Sequence, residues 1–126
     1  MYLFRLENKN NRLGICTLEN SRDIVNNGIS IYLLNSHKTP QRDSKLSLVS
    51  DGEFDYIGSY KLSEYKFFLS SLEEIKNYFG IVLEELRLAL PNDYVISKYE
   101  VSDYIIGEEN ILALASEIKL MEEYNV

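Results

Sequence analysis

Ten tyrosines and five phenylalanines stand in this 126-residue chain beside no tryptophan, a single histidine, His37, and a single cysteine, Cys16. A tyrosine offers a flat apolar ring and a hydroxyl, so it can stack on a nucleobase while bonding the edge of that base or its phosphate. Arg12, Arg22, Lys38 and Arg42 supply donors for phosphate oxygens, and the guanidinium fork suits bidentate contacts. Signatures of catalysis are absent: there is no Gly-x-Gly-x-x-Gly, no P-loop, no Gly-x-Ser-x-Gly elbow and no His-Glu-x-x-His. Cys16 lies between apolar residues, the setting of a buried inert thiol. Adjacent acids at Glu73/Glu74, Glu84/Glu85, Glu108/Glu109 and Glu122/Glu123 point about 100° apart on a helix and read as solvated faces rather than acid–base pairs. One cysteine excludes an intrachain disulfide, and one histidine excludes a His-rich metal site. The expectation is a protein that is not an enzyme and that needs no metal or cofactor.

Charge narrows the choice of ligand. The chain carries 13 Lys and Arg against 20 Asp and Glu, a formal −7, which argues against long duplex nucleic acid as a partner, because such binding rests on many cation–phosphate contacts. The distribution is uneven. Residues 1–46 hold seven bases against four acids, a net +3, whereas residues 47–126 hold six bases against 16 acids, a net −10. Donors for a small anion should therefore come mainly from the first third. No apolar run approaches the ~20 residues of a membrane span and no signal peptide opens the chain, so a cytoplasmic protein without a membrane partner is expected.

The elements that must position these residues read as one domain over 1–126. Tyr2-Leu3-Phe4-Arg5-Leu6-Glu7 suggests a first strand, and the turn formers that follow, with Gly14, suggest a hairpin whose second arm reaches Leu18. Residues 19–28 are polar, and residues 29–34 (Ile-Ser-Ile-Tyr-Leu-Leu) form a further strand candidate. Residues 35–58 lack periodicity and read as a long loop, a feature that is often functional. Lys66-Phe67-Phe68-Leu69 leads into a helix whose capping box is Ser70 with Glu73 or Ser71 with Glu74. Gly80 should end that helix and Pro91 a second one over residues 81–90. Residues 94–101 alternate cleanly, with Val95, Ser97, Tyr99 and Val101 on one side, and residues 110–118 fit a strand or a helix. Strands, then helices, then strands predict an α+β domain in which an antiparallel sheet packs two short consecutive helices on one face.

Four short segments carry a resemblance. Tyr2-Leu3-Phe4-Arg5-Leu6-Glu7-Asn8 with Gly14, then His37-x-x-Pro40-x-x-Asp43-x-x-Leu46, then the run from Phe67-Phe68-Leu69-Ser70-Ser71-Leu72 to Phe79, and Tyr99-Glu100-Val101 with Gly107 resemble, in order, a set of small phage-encoded accessory proteins. The sequence departs from them at Ile15-Cys16-Thr17 and at Thr39-Pro40-Gln41. The resemblance extends to viral sponge proteins of the anti-CBASS or anti-Thoeris type. It implies immune evasion by binding a cyclic nucleotide signal without cleaving it, in the host bacterial cytoplasm and as a homo-oligomer, dimer or tetramer. On that reading Tyr32, Tyr56 and Tyr60 stack on bases, Arg12, Arg22 or Arg42 holds phosphates, and His37 and Thr39 belong to a loop that closes over the ligand. Two rival expectations remain open. The acidic remainder could mimic nucleic acid and block a Cas effector or restriction nuclease, or His37 and Asp43 could degrade a nucleotide signal.

Overall fold

Residues 94–101 form a strand that is buried on both faces over most of its length. In the computed structural model, which describes residues 1–29, 42–108 and 111–126, strand β6 (Tyr94–Val101) lies between β1 (Tyr2–Asn8) and β9 (Ile118–Asn125) and runs antiparallel to both. The register sets Leu3 beside Tyr99, Arg5 beside Ser97, and Ser97 beside Glu123. Successive residues of a strand point to opposite faces. Leu3, Arg5, Glu7, Ser97, Tyr99 and Val101 therefore share one face, and Phe4, Leu6, Tyr94, Ile96 and Tyr124 share the other.

Three helices cover the second face: α1 (Leu18–Asn26), α2 (Leu72–Phe79) and α3 (Ile81–Ala89). Ile24, Ile75, Val82, Leu83 and Leu86 from these helices join Leu6, Tyr94 and Ile96 in one core, each buried side chain contributing about 1.5–3 kcal/mol. The α2 cap is Ser71, whose hydroxyl accepts the Glu74 N–H at 3.1 Å, while the Glu74 carboxylate accepts the Ser70 N–H at 3.0 Å. Gly80, at φ +43° between α2 and α3, holds a left-handed backbone that a residue with a Cβ adopts only with strain.

A second sheet, in the order β5 (Tyr65–Phe68), β8 (Ile111–Leu114), β7 (Ile105–Ile106), closes over the apolar half of the first face. Phe68 and Ala113 pack there with Leu3, Tyr99 and Val101, and the Phe68 and Tyr99 rings meet edge-on at 5.7 Å. A small third sheet joins β2 (Val49–Ser50), β3 (Asp55–Ile57) and β4 (Tyr60–Lys61). It is fixed through Ile57, which shares a core cluster with Leu46 and Leu112. No helix among the described residues is long and apolar enough to cross a membrane.

The α+β class and the two consecutive helices agree with the sequence. Several elements differ. Only a single bridge, Glu7 to Gly14, replaces the expected hairpin, and the chain then enters α1. That helix is hidden in sequence because its inward side includes Asn20, buried, whose amide donates to the carbonyls of Leu13 and Gly14. Of the strand expected over residues 29–34, only Ile29 is described, and it is buried in the helix-side core. The loop expected over 35–58 contains a 3-10 turn (Ser44–Leu46) and strands β2 and β3. Residues 111–114 are strand, and β9 follows after a further 3-10 turn (Ala115–Glu117).

Candidate functional site

Where the second sheet ends, the first sheet is polar. Glu7, fully buried, is the centre of that region. Its Oε1 accepts from Arg5 Nε at 2.7 Å, and its Oε2 accepts from Tyr99 OH at 2.6 Å, Ser97 Oγ at 2.8 Å and an Arg12 guanidinium nitrogen at 3.1 Å. Four donors on one carboxylate offset the cost of burying the charge. Arg5 also donates to the Phe67 carbonyl at 3.1 Å, and its guanidinium lies 5.8 Å from the centre of the Phe68 ring. Burial pushes the Arg5 pKa down, against the pull of Glu7. Burial likewise raises the Tyr99 phenol, and its hydrogen bond to Glu7 adds to the effect.

Arg12 reaches this centre from the loop after β1. The Asn8 side chain accepts the N–H groups of Asn10 and Asn11, and Arg12 then adopts a left-handed backbone at φ +59°. Its second terminal nitrogen donates to Glu123 at 2.5 Å, which raises the Arg12 pKa and lowers that of Glu123. Lys66 enters from β5 and donates to the Arg12 carbonyl at 2.7 Å. Burial first, and then neighbouring Arg5, holds its ammonium below the ordinary lysine value. Lys9 stands 3.9 Å from Glu123. Four cations thus gather around two carboxylates, three of them from the positively charged first third.

A second surface lies on the small sheet. Val49, Tyr56 and Lys61 are register partners and so share its outward face, opposite buried Ile57. Val49 is 65% exposed and neighbouring Phe54 41%, and the Lys61 ammonium sits 4.0 Å from the centre of the Phe54 ring. Burial, followed by the charge of Asp51, raises the Tyr56 phenol. Tyr60 pairs with Ile57 and therefore points to the other face, where its ring meets Tyr65 edge-on at 6.4 Å.

Beneath this sheet, Asp43 is 4% exposed and accepts the Glu108 N–H at 2.7 Å and the Lys45 N–H at 3.2 Å. Gly107 lies against it so closely that a Cβ there would fall 2.8 Å from Asp43 Cγ. Ser44 donates to the Glu108 carboxylate. The aspartate and the glycine singled out in two separate sequence segments are thus a single joint.

The sequence-chosen residues are dispersed. Arg12 is part of the Glu7 network, Arg22 is exposed on α1, and Arg42 is exposed immediately before Asp43. Tyr56 and Tyr60 occupy one small sheet on opposite faces, so they do not form two sides of one slot. Tyr32, His37 and Thr39 lie outside the described residues. Cys16 is exposed rather than buried, though partial desolvation pushes its thiol pKa up. Tyr2 is 48% exposed beneath the Lys98 ammonium. Arg5, Glu7, Lys66, Ser97 and Glu123 were missed. For Arg5, Glu7 and Ser97 the signal was the alternation of Arg5 with Glu7 and of Ser97 with Tyr99, which sets polar groups on a strand face that is otherwise apolar.

No curated protein and no solved structure matches this chain. A family model described as the bacteriophage T4 Y00F protein matches residues 1–126. This phage family includes every segment that meets at Glu7 and at Asp43, and the chain belongs to it.

Proposed function

We propose that this phage protein binds a cyclic nucleotide immune signal and sequesters it without cleavage. The observation that carries this reading is the outward face of the small sheet, where Val49 and Phe54 are exposed and Tyr56 is half-buried, beside the Lys61 ammonium. Exposed rings on a rigid strand pair offer a stacking platform for a base, and a neighbouring ammonium suits its phosphate. Sequestration consumes one site per signal molecule, so affinity must exceed the signal concentration, and a homo-oligomer multiplies the sites.

Calorimetry against cyclic di- and trinucleotides and cyclic ADP-ribose isomers tests the reading. At least one should bind saturably and be recovered intact, and Phe54→Ala or Tyr56→Ala should weaken it by roughly 5- to 100-fold, as loss of a stacked ring does. No heat with any of them, or a hydrolysed product, would overturn it.

A further inference from the structure

The Glu7 network holds a cation arrangement that its own carboxylates do not complete. Glu7 has its two oxygens engaged by four donors and fixes the inner edge of the Arg12 guanidinium. The outer edge of Arg12 is turned to Glu123, a side chain of edge strand β9 that keeps 27% exposure. Lys66, partly buried, makes its one described hydrogen bond to a neutral carbonyl, that of Arg12. Arg5, 8% exposed, spends its Nε on Glu7 and one terminal nitrogen on a carbonyl, while its other terminal nitrogen faces Gly14, where even a Cβ would stand 3.5 Å away.

We propose that Arg12 and Lys66, backed by Arg5, form a seat for a phosphate-type oxyanion, and that the Glu123 carboxylate occupies this seat as an internal stand-in which the ligand displaces. A carboxylate on an exposed edge strand can leave by side-chain rotation alone, whereas Glu7 cannot, being locked beneath. A dianionic phosphate would then replace one negative charge by two among four cations, and its tetrahedral oxygens would accept from the outer terminal nitrogen of Arg12 that Glu123 vacates and from the Lys66 ammonium. The hydrogen bond to buried Glu7 keeps the Arg12 guanidinium in place before any ligand arrives. This inference concerns residues other than the aromatic face and does not depend on it.

Titration of the full chain with inorganic pyrophosphate and, separately, with a cyclic dinucleotide tests the seat. Glu123→Gln should bind pyrophosphate roughly tenfold more tightly than the native chain, because a competing charge is gone. Lys66→Met should bind roughly tenfold more weakly while melting at a higher temperature, since removing a desolvated ammonium stabilises the fold as it weakens the site. A merely structural lysine would not give that opposed pair of changes. Tightening with pyrophosphate alone assigns the seat to a free phosphate, and tightening with both assigns it also to the phosphate of a nucleotide. Pyrophosphate binding that is absent, or unaltered in Glu123→Gln, overturns the seat; the aromatic-face reading survives that result if Tyr56→Ala still weakens cyclic nucleotide binding.

Discussion

Asp43 and Gly107 show how a residue's role is decided by what lies against it. The Asp43 carboxylate caps the Glu108 and Lys45 amides, and Gly107 is glycine because a side chain there would enter the space of that carboxylate. Gly107→Ala should destabilise the fold by about 1–3 kcal/mol, measured by denaturant unfolding, and should cost much less in an Asp43→Ala background. Equal costs in both backgrounds would show that the two residues are not coupled. From sequence, Asp43 belonged with His37 as possible chemistry. Its burial and its backbone partners assign it instead to holding the turn that follows Arg42. Glu7 makes the same point, since its neighbours in sequence gave only a strand, and two of its four donors, Ser97 and Tyr99, come from a strand about 90 residues further along the chain.

At the scale of elements, strands and helices were legible where one side chain type recurs at one period. β6 was legible because Val95, Ser97, Tyr99 and Val101 share a face, and α2 because Ser71 and Glu74 mark its start. Replacing that cap, Ser71→Ala, should cost about 1 kcal/mol in thermal or denaturant unfolding, and no loss would mean that another group caps the Glu74 amide. α1 was illegible because its inward side uses a buried asparagine to anchor the carbonyls of Leu13 and Gly14, and the hydrophobic period is broken there. The small sheet was illegible for a different reason: strands of two or three residues carry no measurable period, and they are held through Ile57 rather than by their own pairing. The candidate site followed the same division. Tyr56 and Arg12 could be nominated by residue type, but Lys66 and Glu123 reach Arg12 only through the packing of β5 and β9 around β1 and β6.

Across the whole molecule, a chain of net −7 gathers three of the seven cations of its first third, Arg5, Lys9 and Arg12, in the network that Lys66 joins. The pH dependence of stability should report this. Glu123 and Asp51 have depressed pKa values, from the Arg12 hydrogen bond and from backbone N–H groups respectively, so their contribution is present above the ordinary carboxylate value near 4.5 or 3.8 and is lost as pH falls through the lower folded values. Tyr99 is shifted the other way. Its contribution is complete below the ordinary phenol value of 10.0 and is lost as pH rises through the higher folded value. Lys66, depressed by burial, adds stability as pH rises to the ordinary lysine value of 10.5 and so opposes Tyr99 where the two ranges overlap; melting temperatures should fall more steeply between pH 10.0 and 10.5 in Lys66→Met than in the native chain, and identical profiles would separate Lys66 from the network. The central claim is that this acidic phage protein holds a small anionic signal. It is tested most directly by calorimetry of the native chain against the cyclic nucleotide panel, with the ligand recovered afterwards: saturable binding of at least one member, recovered intact, is the predicted result, and silence across the panel or recovery of a cleaved product contradicts it.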